Sequence, residues 1–364
     1  MWNRFHMQRF ADMLCSVPLI GEGRHVSALS DVARIAQVSK ATASRALSGN
    51  GYVSAETRDR VVAAAAAIGY VVSTNAASLV TGLSRNVGVV IPHINRWYFG
   101  DVLEGIESAL IAAGYDLTLY RLSADAAERR RVFEYFLVRK RVDAVIAVGI
   151  ELTSHEVGLL HALAKPIVGI GGAIEGIATL SIDDVAAAAL VTGHLISLGH
   201  TSIMHFGGDQ AREMDFRVHS QRLAGFQQAM DAAGLPSGDG AFRAVELSMQ
   251  GGYELALAVL ADPRTRPSAV VAGSDEVAIG TIVAARQLGI HVPAQLSVVG
   301  IDGHELAPMF GLTTLAQDPG AQGTRAVELV MAELDAGGAS AERTWTPYPV
   351  RLEVRSSTTA PLSA

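Results

Sequence analysis

Residues 29–48 read LSDVARIAQVSKATASRALS, and this stretch decides how the first part of the chain folds. Its apolar residues recur at helical spacing on both sides of a short break, which predicts two short helices joined by a tight turn. The second helix begins at Ser39 and presents small, hydroxyl and basic side chains, namely Lys40, Ala41, Thr42, Ser44 and Arg45. Such a surface can approach the DNA major groove closely, donate to phosphates and reach a base edge.

A third helix follows and completes a small helical head. Ser54 is a favourable N-cap for the segment VSAETRDRVVAAAAAIGY at 53–70, with Glu56 in the first turn, and Gly69 is placed to end the helix. The sequence therefore predicts an all-α helix-turn-helix head at residues 28–70. We expect a loosely ordered extension at 1–27 and a polar hinge or linker at 71–86 that folds only when it docks.

From residue 87 the pattern changes to alternating strands and helices. Buried-type strands such as VGVVI at 87–91 and DAVIAV at 143–148 alternate with amphipathic helices, which predicts parallel sheets covered on both faces. About ten such units are too many for one compact sheet. The predicted α/β core, residues 87–358, therefore consists of two doubly wound parallel-sheet subdomains, with a ligand cleft at the carboxyl ends of the strands.

Composition narrows the class of protein. The chain has 364 residues, of which 49% are hydrophobic and only 6% aromatic, and its single cysteine is Cys15. One cysteine excludes a disulfide framework within the chain and favours the reducing cytoplasm. No apolar run reaches the roughly 18 residues that a membrane helix needs, and no export signal is evident, so no membrane association is predicted.

Charge is distributed unevenly along the chain. The net charge is −7, but residues 1–82 carry eight Lys/Arg and five Asp/Glu, and the remainder has a net charge of −10. A mildly basic head on an acidic body is consistent with local contact to nucleic acid, although ordinary surface variation would look the same.

Several motifs occur in one order over residues 29–358. They are DVARIAQVSKATASRAL, SLVTG, VGVVIP, RLAGF, RPSAVVAGSDEVAIG, VPAQLSVVGID and LEVRSST. In this order they resemble the LacI/GalR (lactose-repressor) family of bacterial transcription regulators. The resemblance implies a helix-turn-helix head, a hinge helix and a core of periplasmic-binding-protein type. It also implies a homodimeric repressor that binds a palindromic operator in double-stranded DNA and responds to a small effector, usually a sugar, as an inducer or a co-repressor.

The resemblance assigns DNA contacts to the second helix and to the hinge. It implies phosphate contacts for Thr42 and Ser44, and base contacts for Lys40, Ala41 and Arg45. The other expected DNA-binding residues are Ser39, Ser78 and Leu79, of which Leu79 would act as a wedge in the minor groove. The alternatives are a plain polar face for Thr42 and Ser44, a solvated helix-end cation for Arg45 and a packed side chain for Leu79.

Two departures from the family pattern affect these expectations. Gln37 stands where the family usually has a small turn residue, which is tolerable if the turn avoids a positive φ. The hinge has Val72, Ser73 and Ala77 in place of the usual Pro-Asn and basic residue, so fewer backbone contacts and a flatter salt dependence are expected.

The resemblance also implies which residues bind the effector. They are Trp97, Tyr98, Phe99, Asp183, Arg217, Arg222 and Asp275. Carboxylate and guanidinium groups can each make paired hydrogen bonds with vicinal hydroxyls. Other roles remain open: Asp275 could cap a helix, Arg222 could form a surface salt bridge, and the aromatic residues could simply pack. Asp302 is expected to hold a crossover between the subdomains.

Other classes of protein fit the sequence less well. A sugar-binding receptor without a DNA role would leave residues 29–82 unexplained. A dehydrogenase would need a complete glycine motif, but GIGGAIEG at 169–176 has Ile174 at the sixth position. The histidines His194, His200 and His205 lack a metal-ligand spacing, and no G-x-S-x-G motif is present. We therefore predict no enzyme activity, no cofactor and no bound metal.

Overall fold

The computed structural model describes residues 28–48, 51–70, 83–123, 125–137, 142–162, 165–174, 176–209, 217–336 and 345–362. The chain divides into two compact units after residue 82. Within the described ranges, no helix combines the length and the apolar character needed to cross a bilayer.

The first unit contains three helices, α1 (Leu29–Ile35), α2 (Lys40–Ser48) and α3 (Ala55–Ala67). Small apolar side chains from all three form its core, including Val32, Ala43, Ala46 and Val61. The predicted limits of α3 are confirmed. The Ser54 hydroxyl accepts a hydrogen bond from the Thr57 amide at 3.4 Å, and Gly69, with φ +63°, follows the end of the helix.

The turn between α1 and α2 differs from the expectation for Gln37. The φ of Gln37 is +55°, in the left-handed region, so the condition under which Gln37 was expected to be tolerable is not met. The Gln37 amide donates to the Arg34 carbonyl at 3.3 Å, and the Val38 amide donates to the Ala33 carbonyl at 3.0 Å. These two bonds define a Schellman motif, whose left-handed position glycine usually occupies. The motif provides hydrogen-bond donors for the last carbonyls of α1. It also holds Gln37 in the left-handed conformation, which is strained for a residue with a Cβ.

Part of the predicted DNA site lies outside the described residues. This applies to Ser78 and Leu79 in the predicted hinge and to the extension at 1–27.

The second unit is the α/β core. In chain order its elements are β1 (Asn86–Ile91), α4 (Trp97–Ala112), β2 (Asp116–Arg121), α5 (Ala126–Arg130), a π-helical turn (Arg131–Leu137), β3 (Ala144–Val148), α6 (Ser154–Ala162), β4 (Ile167–Ile170), β5 (Ala178–Ser181), α7 (Asp184–Ser197), β6 (Ile203–Gly208), α8 (Val218–Ala232), a 3₁₀ turn (Asp239–Ala241), β7 (Phe242–Val245), α9 (Met249–Leu260), β8 (Ala269–Ala272), α10 (Asp275–Gln287), β9 (Ser297–Asp302), β10 (Thr313–Ala316), α11 (Pro319–Asp335), β11 (Trp345–Pro347) and β12 (Arg351–Glu353).

These elements form two six-stranded sheets, which confirms the predicted fold class. The first sheet has the order β2-β1-β3-β4-β5-β11 and is parallel throughout. Apolar residues of α4 and α11 cover one face, and residues of the π-helical turn and α6 cover the other. The second sheet has the order β7-β6-β8-β9-β10-β12 and lies between α7 and α8 on one side and α9 and α10 on the other. Both sheets are doubly wound, so their inner strands are buried on both faces.

Three chain segments cross between the two subdomains. They lie between β5 and α7, between β10 and α11, and between β11 and β12. At the third crossing, the Tyr348 amide donates to the Ser181 carbonyl at 2.7 Å, and its side chain packs against the cores of both subdomains. The strand pattern did not predict β11 and β12, and β12 runs antiparallel to β10. Both are three-residue edge strands, and β11 lies before the third crossing and β12 after it.

Candidate nucleic-acid interface and ligand cavity

Helix α2 has one buried face and one exposed polar face. Ala43 and Ala46 are buried in the core of the head. The predicted contact residues Ser39, Lys40, Ala41, Ser44 and Arg45 are exposed, and Thr42 is half-buried. The structure therefore brings six of the predicted DNA-binding residues onto one end and one side of a single helix.

The start of α2 is held by its own hydroxyl groups. The Ser39 hydroxyl accepts from the Thr42 amide at 3.0 Å and lies 2.8 Å from the Thr42 hydroxyl. The first turn of α2 has no acidic residue. A helix N-terminus without a competing carboxylate attracts anions, because its free amides point outward and the helix dipole is positive there. This end of α2 is suited to a phosphate group.

Arg45 extends along α2. Its Nε donates to the Ala41 carbonyl at 3.3 Å, and its Cδ would lie 3.2 Å from a Cβ built at Gly51. The guanidinium stays exposed at the end of this exposed face. A guanidinium in such a position can make a bidentate contact to guanine.

In the core, a cavity of about 530 Å³ lies between the two subdomains. Its walls come from the carboxyl ends of strands and from the first turns of helices in both subdomains. The lining residues that carry hydrogen-bonding side chains or aromatic rings are His93, Arg96, Tyr98, Phe99, Ser181, Asp184, Asp209, His219, Arg222, Glu246, Ser274, Glu276, Asp302 and Gln317. This volume falls within the range of small-molecule sites.

Two glycines make room for aromatic rings in this cavity wall. Gly149 has φ +53°, and a Cβ there would lie 2.5 Å from the Phe99 ring. At Gly208, the last residue of β6, a Cβ would lie 2.3 Å from the His219 ring. A larger residue at either position would displace the ring.

Arg222 is buried in the wall and is fully engaged. Its Nε donates to Asp184 at 2.8 Å, its Nη1 donates to the Gly273 carbonyl, and its Nη2 lies 3.7 Å from Asp302. Burial raises the pKa of Asp184, and the adjacent Arg222 opposes this effect. Burial also raises the pKa of Asp302 to about 6. Arg222 therefore forms a buried salt bridge and not the surface salt bridge considered as an alternative. Removing either partner would destabilise the fold strongly, because it would leave an uncompensated buried charge.

A chain of side chains links Arg222 to the first subdomain. Gln317 Nε2 donates to Asp302 at 2.9 Å, Gln322 Nε2 donates to Gln317 Oε1 at 2.8 Å, and the Tyr98 hydroxyl donates to Gln322 Oε1 at 3.3 Å. Gln317 lies in the crossing between β10 and α11, so Asp302 does hold a crossover, as its sequence context suggested. Because this network includes a crossing segment, a ligand that disturbs it acts directly on the connection between the subdomains.

A second guanidinium, that of Arg96, lies at the start of α4. It forms an ion pair with Glu246, which follows β7 in the other subdomain. Beside it, the Trp97 ring stacks on the His304 ring with centroids 4.6 Å apart. These two contacts join the subdomains next to the cavity.

The structure brings three of the predicted effector residues to the cavity, namely Tyr98, Phe99 and Arg222. It places Trp97, Asp183, Arg217 and Asp275 elsewhere. Asp183 is exposed and caps α7 by accepting from the Ala186 amide at 2.9 Å, while the next residue, Asp184, faces Arg222. Arg217 is exposed, has φ +61° and precedes α8.

Asp275 is buried beneath the cavity wall. Its carboxylate accepts from the amides of Gly303 and His304 and from the Thr314 hydroxyl, at 2.7–2.9 Å. A Cβ at Gly300 would lie 2.0 Å from its Oδ1, so a glycine is needed there to admit the carboxylate. Burial raises its pKa to about 7. Asp275 is not the cap of α10 either, because Ser274 accepts from the Val277 amide at 3.3 Å.

Sequence reasoning missed several cavity residues. Asp184 follows the predicted residue Asp183, Glu276 follows Asp275, and Arg96 precedes Trp97. Each of these cavity residues is therefore adjacent to one that the family motifs indicated. Glu246 gave no signal except its place near the end of the predicted strand FRAVEL at 242–247. Among the described residues, no group of three or more His, Cys, Asp or Glu could hold a metal ion.

Family comparisons agree with this architecture. The family described as "Bacterial regulatory proteins, lacI family" matches residues 28–73, and the family described as "Periplasmic binding protein-like domain" matches residues 192–358. The first match covers the helical head, and the second covers most of the second subdomain together with the returning C-terminal elements.

One relative and two solved structures illustrate the similarity. The HTH-type transcriptional repressor PurR of Vibrio parahaemolyticus is 31% identical over 319 residues, which are 85% of this chain and 92% of the relative. A crystal structure of the Lac repressor dimer bound to operator and the anti-inducer ONPF has a TM-score of 0.78 and 24% identity, and covers 92% of this chain and 99% of that one. The structure of a LacI family transcriptional regulator from Enterococcus faecium with bound ribose has a TM-score of 0.66 and 24% identity over 76% of this chain and 99% of that one.

At these identities the two solved structures establish the fold, while the relative establishes the family. The relative is named as a transcriptional repressor, and the family matched by the head is described as regulatory proteins. With its helical head and its two-subdomain core, this chain belongs to the LacI family of bacterial regulatory proteins, which are DNA-binding transcription regulators.

Proposed function

We propose that this chain represses transcription in the bacterial cytoplasm by binding a palindromic operator as a homodimer. A sugar or sugar derivative bound in the core cavity controls this binding. The observation that carries the proposal is that one chain combines the exposed polar face of α2 with a hydrogen-bonding cavity of about 530 Å³.

On the DNA side, α2 enters the major groove with its N-terminus first. Ser39, Thr42 and Ser44 contact phosphates, and Lys40, Ala41 and Arg45 face the bases. The exposure of this face and the absence of acidic residues in its first turn support this arrangement. Ser78 and Leu79 would add hinge contacts in the minor groove.

On the effector side, Arg222, Asp184 and Asp302 provide the polar wall, and Tyr98 and Phe99 provide aromatic surface. Sugars present hydroxyl edges and apolar faces, so a cavity with both kinds of wall suits them. The regulator from Enterococcus faecium, which shares this fold, holds ribose. We do not carry Trp97, Asp183, Arg217 and Asp275 forward as effector contacts, because none of them lines the cavity.

Coupling between the two sites is a population shift. A ligand that binds one arrangement of the subdomains more tightly than the other favours that arrangement. The crossing segment at Gln317 is hydrogen-bonded to the cavity residue Asp302, so rearrangement of the cavity reaches the connection between the subdomains. The dimer then changes the geometry of its two heads.

Footprinting of the purified protein on its own upstream region tests the DNA role. We expect protection of a two-fold symmetric site. Arg45→Ala should weaken binding by about 1–3 kcal/mol, as expected for loss of a bidentate base contact. Arg264→Ala is a matched control, because it removes an exposed arginine in the other compact unit and should leave binding unchanged.

A sugar panel added to the protein–DNA complex tests the effector role. The proposal requires that at least one sugar releases or tightens the complex, and that Arg222→Met abolishes this response in protein that still binds DNA. If the protein binds sugars but ignores duplex DNA from its own locus at low salt, it is a receptor without a DNA role and the proposal is wrong.

A further inference from the structure

The cavity contains more acidic than basic groups. Two guanidinium groups, of Arg96 and Arg222, line it together with five carboxyl groups, those of Asp184, Asp209, Glu246, Glu276 and Asp302. Each guanidinium faces two of these carboxyl groups. Arg222 contacts Asp184 and lies near Asp302, and Arg96 pairs with Glu246 and attracts Glu276.

The two arginines are therefore poorly placed to bind an anion. Three nitrogens of Arg222 already have partners within its own subdomain, and Arg96 is engaged by Glu246 across the cleft. An anionic ligand would have to displace these carboxylates or be repelled by them. In a partly buried cavity this repulsion is stronger than in bulk water, because solvent screens it less.

Glu276 is the carboxyl group that lacks its own partner. It is the second residue of α10, is half-buried and lines the cavity. It makes no hydrogen bond or ion pair to another residue in the described part of the chain. Burial raises its pKa, and the nearby Asp302 charge adds to this effect, while Arg96 opposes it. A half-buried carboxylate of this kind is stabilised by a hydrogen-bond donor or a cation.

From this cavity we infer that the effector carries a protonated amine, which Glu276 binds, on a polyhydroxylated frame such as an amino sugar. The amine places a positive charge beside Glu276, and the hydroxyl groups meet the remaining polar wall. A neutral sugar would leave Glu276 with no positive charge except that of Arg96, which already pairs with Glu246, and a sugar phosphate would add like charge. The inference rests on the proposed function, since it names the ligand class of the same cavity.

Calorimetry with matched ligand pairs tests the inference on the full-length protein. The pairs are D-glucosamine with D-glucose, D-galactosamine with D-galactose, and D-mannosamine with D-mannose, and D-glucosamine 6-phosphate is added as an anionic probe. A charge-assisted hydrogen bond is worth about 1.5–3 kcal/mol, so at least one amine should bind about tenfold or more tightly than its neutral parent.

Variants assign the preference to the carboxylate. Glu276→Gln should weaken amine binding about tenfold and change binding of the neutral parent by less than about twofold. Glu276→Asp keeps the charge and should retain part of the preference. Glu305→Gln, at an exposed position outside the cavity, is the matched control and should change nothing. Far-UV circular dichroism confirms that each variant is folded.

The outcomes separate this inference from the proposed function. Three results overturn the inference: neutral sugars that bind as tightly as their amines, a phosphate that binds more tightly than the amine, or a panel in which no amine binds. If a neutral sugar meanwhile alters operator binding, the proposed function stands. If an amine binds through Glu276 but no ligand changes DNA affinity, the inference stands and the proposed function is wrong.

Discussion

The head ends two of its helices with the same backbone geometry but with different residues. Gln37 follows α1 with φ +55°, and Gly69 follows α3 with φ +63°. Both positions carry the pair of backbone hydrogen bonds of a Schellman motif. We therefore expect opposite effects from two substitutions: Gln37→Gly should stabilise the head, and Gly69→Ala should destabilise it.

The magnitude follows from two opposing terms. A side chain in the left-handed region costs about 1–2 kcal/mol. Glycine loses more backbone freedom on folding, which costs about 0.5–1 kcal/mol. The net gain for Gln37→Gly is roughly 0.5–1 kcal/mol, and Gly69→Ala should cost a similar amount. Neither substitution disturbs packing, because Gln37 is exposed and a Cβ at Gly69 meets no atom within 4 Å.

Hydrogen–deuterium exchange of the full-length protein measures both effects in place. Slowly exchanging amides of α1, α2 and α3 report the free energy of opening of the head. Exchange should slow in Gln37→Gly and accelerate in Gly69→Ala. In the double variant the two changes should nearly cancel, since additive effects are expected at sites that share no partner.

The control for this experiment is the core, whose exchange should be unchanged in all three variants. If Gln37→Gly leaves exchange unchanged or accelerates it while Gly69→Ala behaves as expected, then Gln37 is not strained. The turn would then have to be stabilised by a contact of the glutamine side chain.

Three further results are expected. Gly149→Ala should displace the Phe99 ring, because its Cβ would lie 2.5 Å away, and should weaken ligand binding measured by calorimetry without abolishing DNA binding. Ser39→Ala and Ser54→Ala should each remove an N-cap that contributes about 1 kcal/mol to helix stability. Fluorescence anisotropy should nevertheless show a larger loss of operator affinity for Ser39→Ala, because only Ser39 is expected to contact a phosphate. Equal losses would argue against that contact. Burial raises the pKa of Asp302 to about 6 from 3.8, so its contribution to folding stability is lost as pH rises through this window. Chemical denaturation should therefore show wild type losing stability relative to Asp302→Asn between about pH 4 and 6, and a pH-independent difference would contradict the assignment.

The fold could be predicted wherever burial leaves a periodic trace in the sequence. Strand β3 (Ala144–Val148) is buried throughout, so its apolar run was recognisable. The edge strands β11 and β12 have three residues each, and β11 is exposed along its whole length. Their pairing is decided by the path of the crossings and not by local pattern. The antiparallel direction of β12 therefore had no signal in the sequence.

Contacts across the cleft were also beyond prediction. Arg96 and Glu246 are 150 residues apart and belong to different subdomains. Sequence patterns place each residue at the start of a helix or the end of a strand. They do not show which residues meet when two subdomains pack, because that depends on the crossings. The ion pair and the Trp97–His304 stack could only come from the structure.

Asp183 and Asp275 were predicted to bind the effector but do not line the cavity, and both differences have the same physical origin. Successive residues of a helix point about 100° apart, so the residue at which a helix begins decides which of two adjacent acids faces a site. Asp183 caps α7 and points to solvent, which turns Asp184 toward Arg222. Ser274 caps α10, which directs Asp275 into the hydrogen-bonding groups of residues 303, 304 and 314 and leaves Glu276 at the cavity. In both cases the family motif indicated the acid one residue before the acid that lines the cavity. Because one residue separates a structural acid from a cavity-lining acid, the position of the cap determines which of the two carboxyl groups faces the cavity.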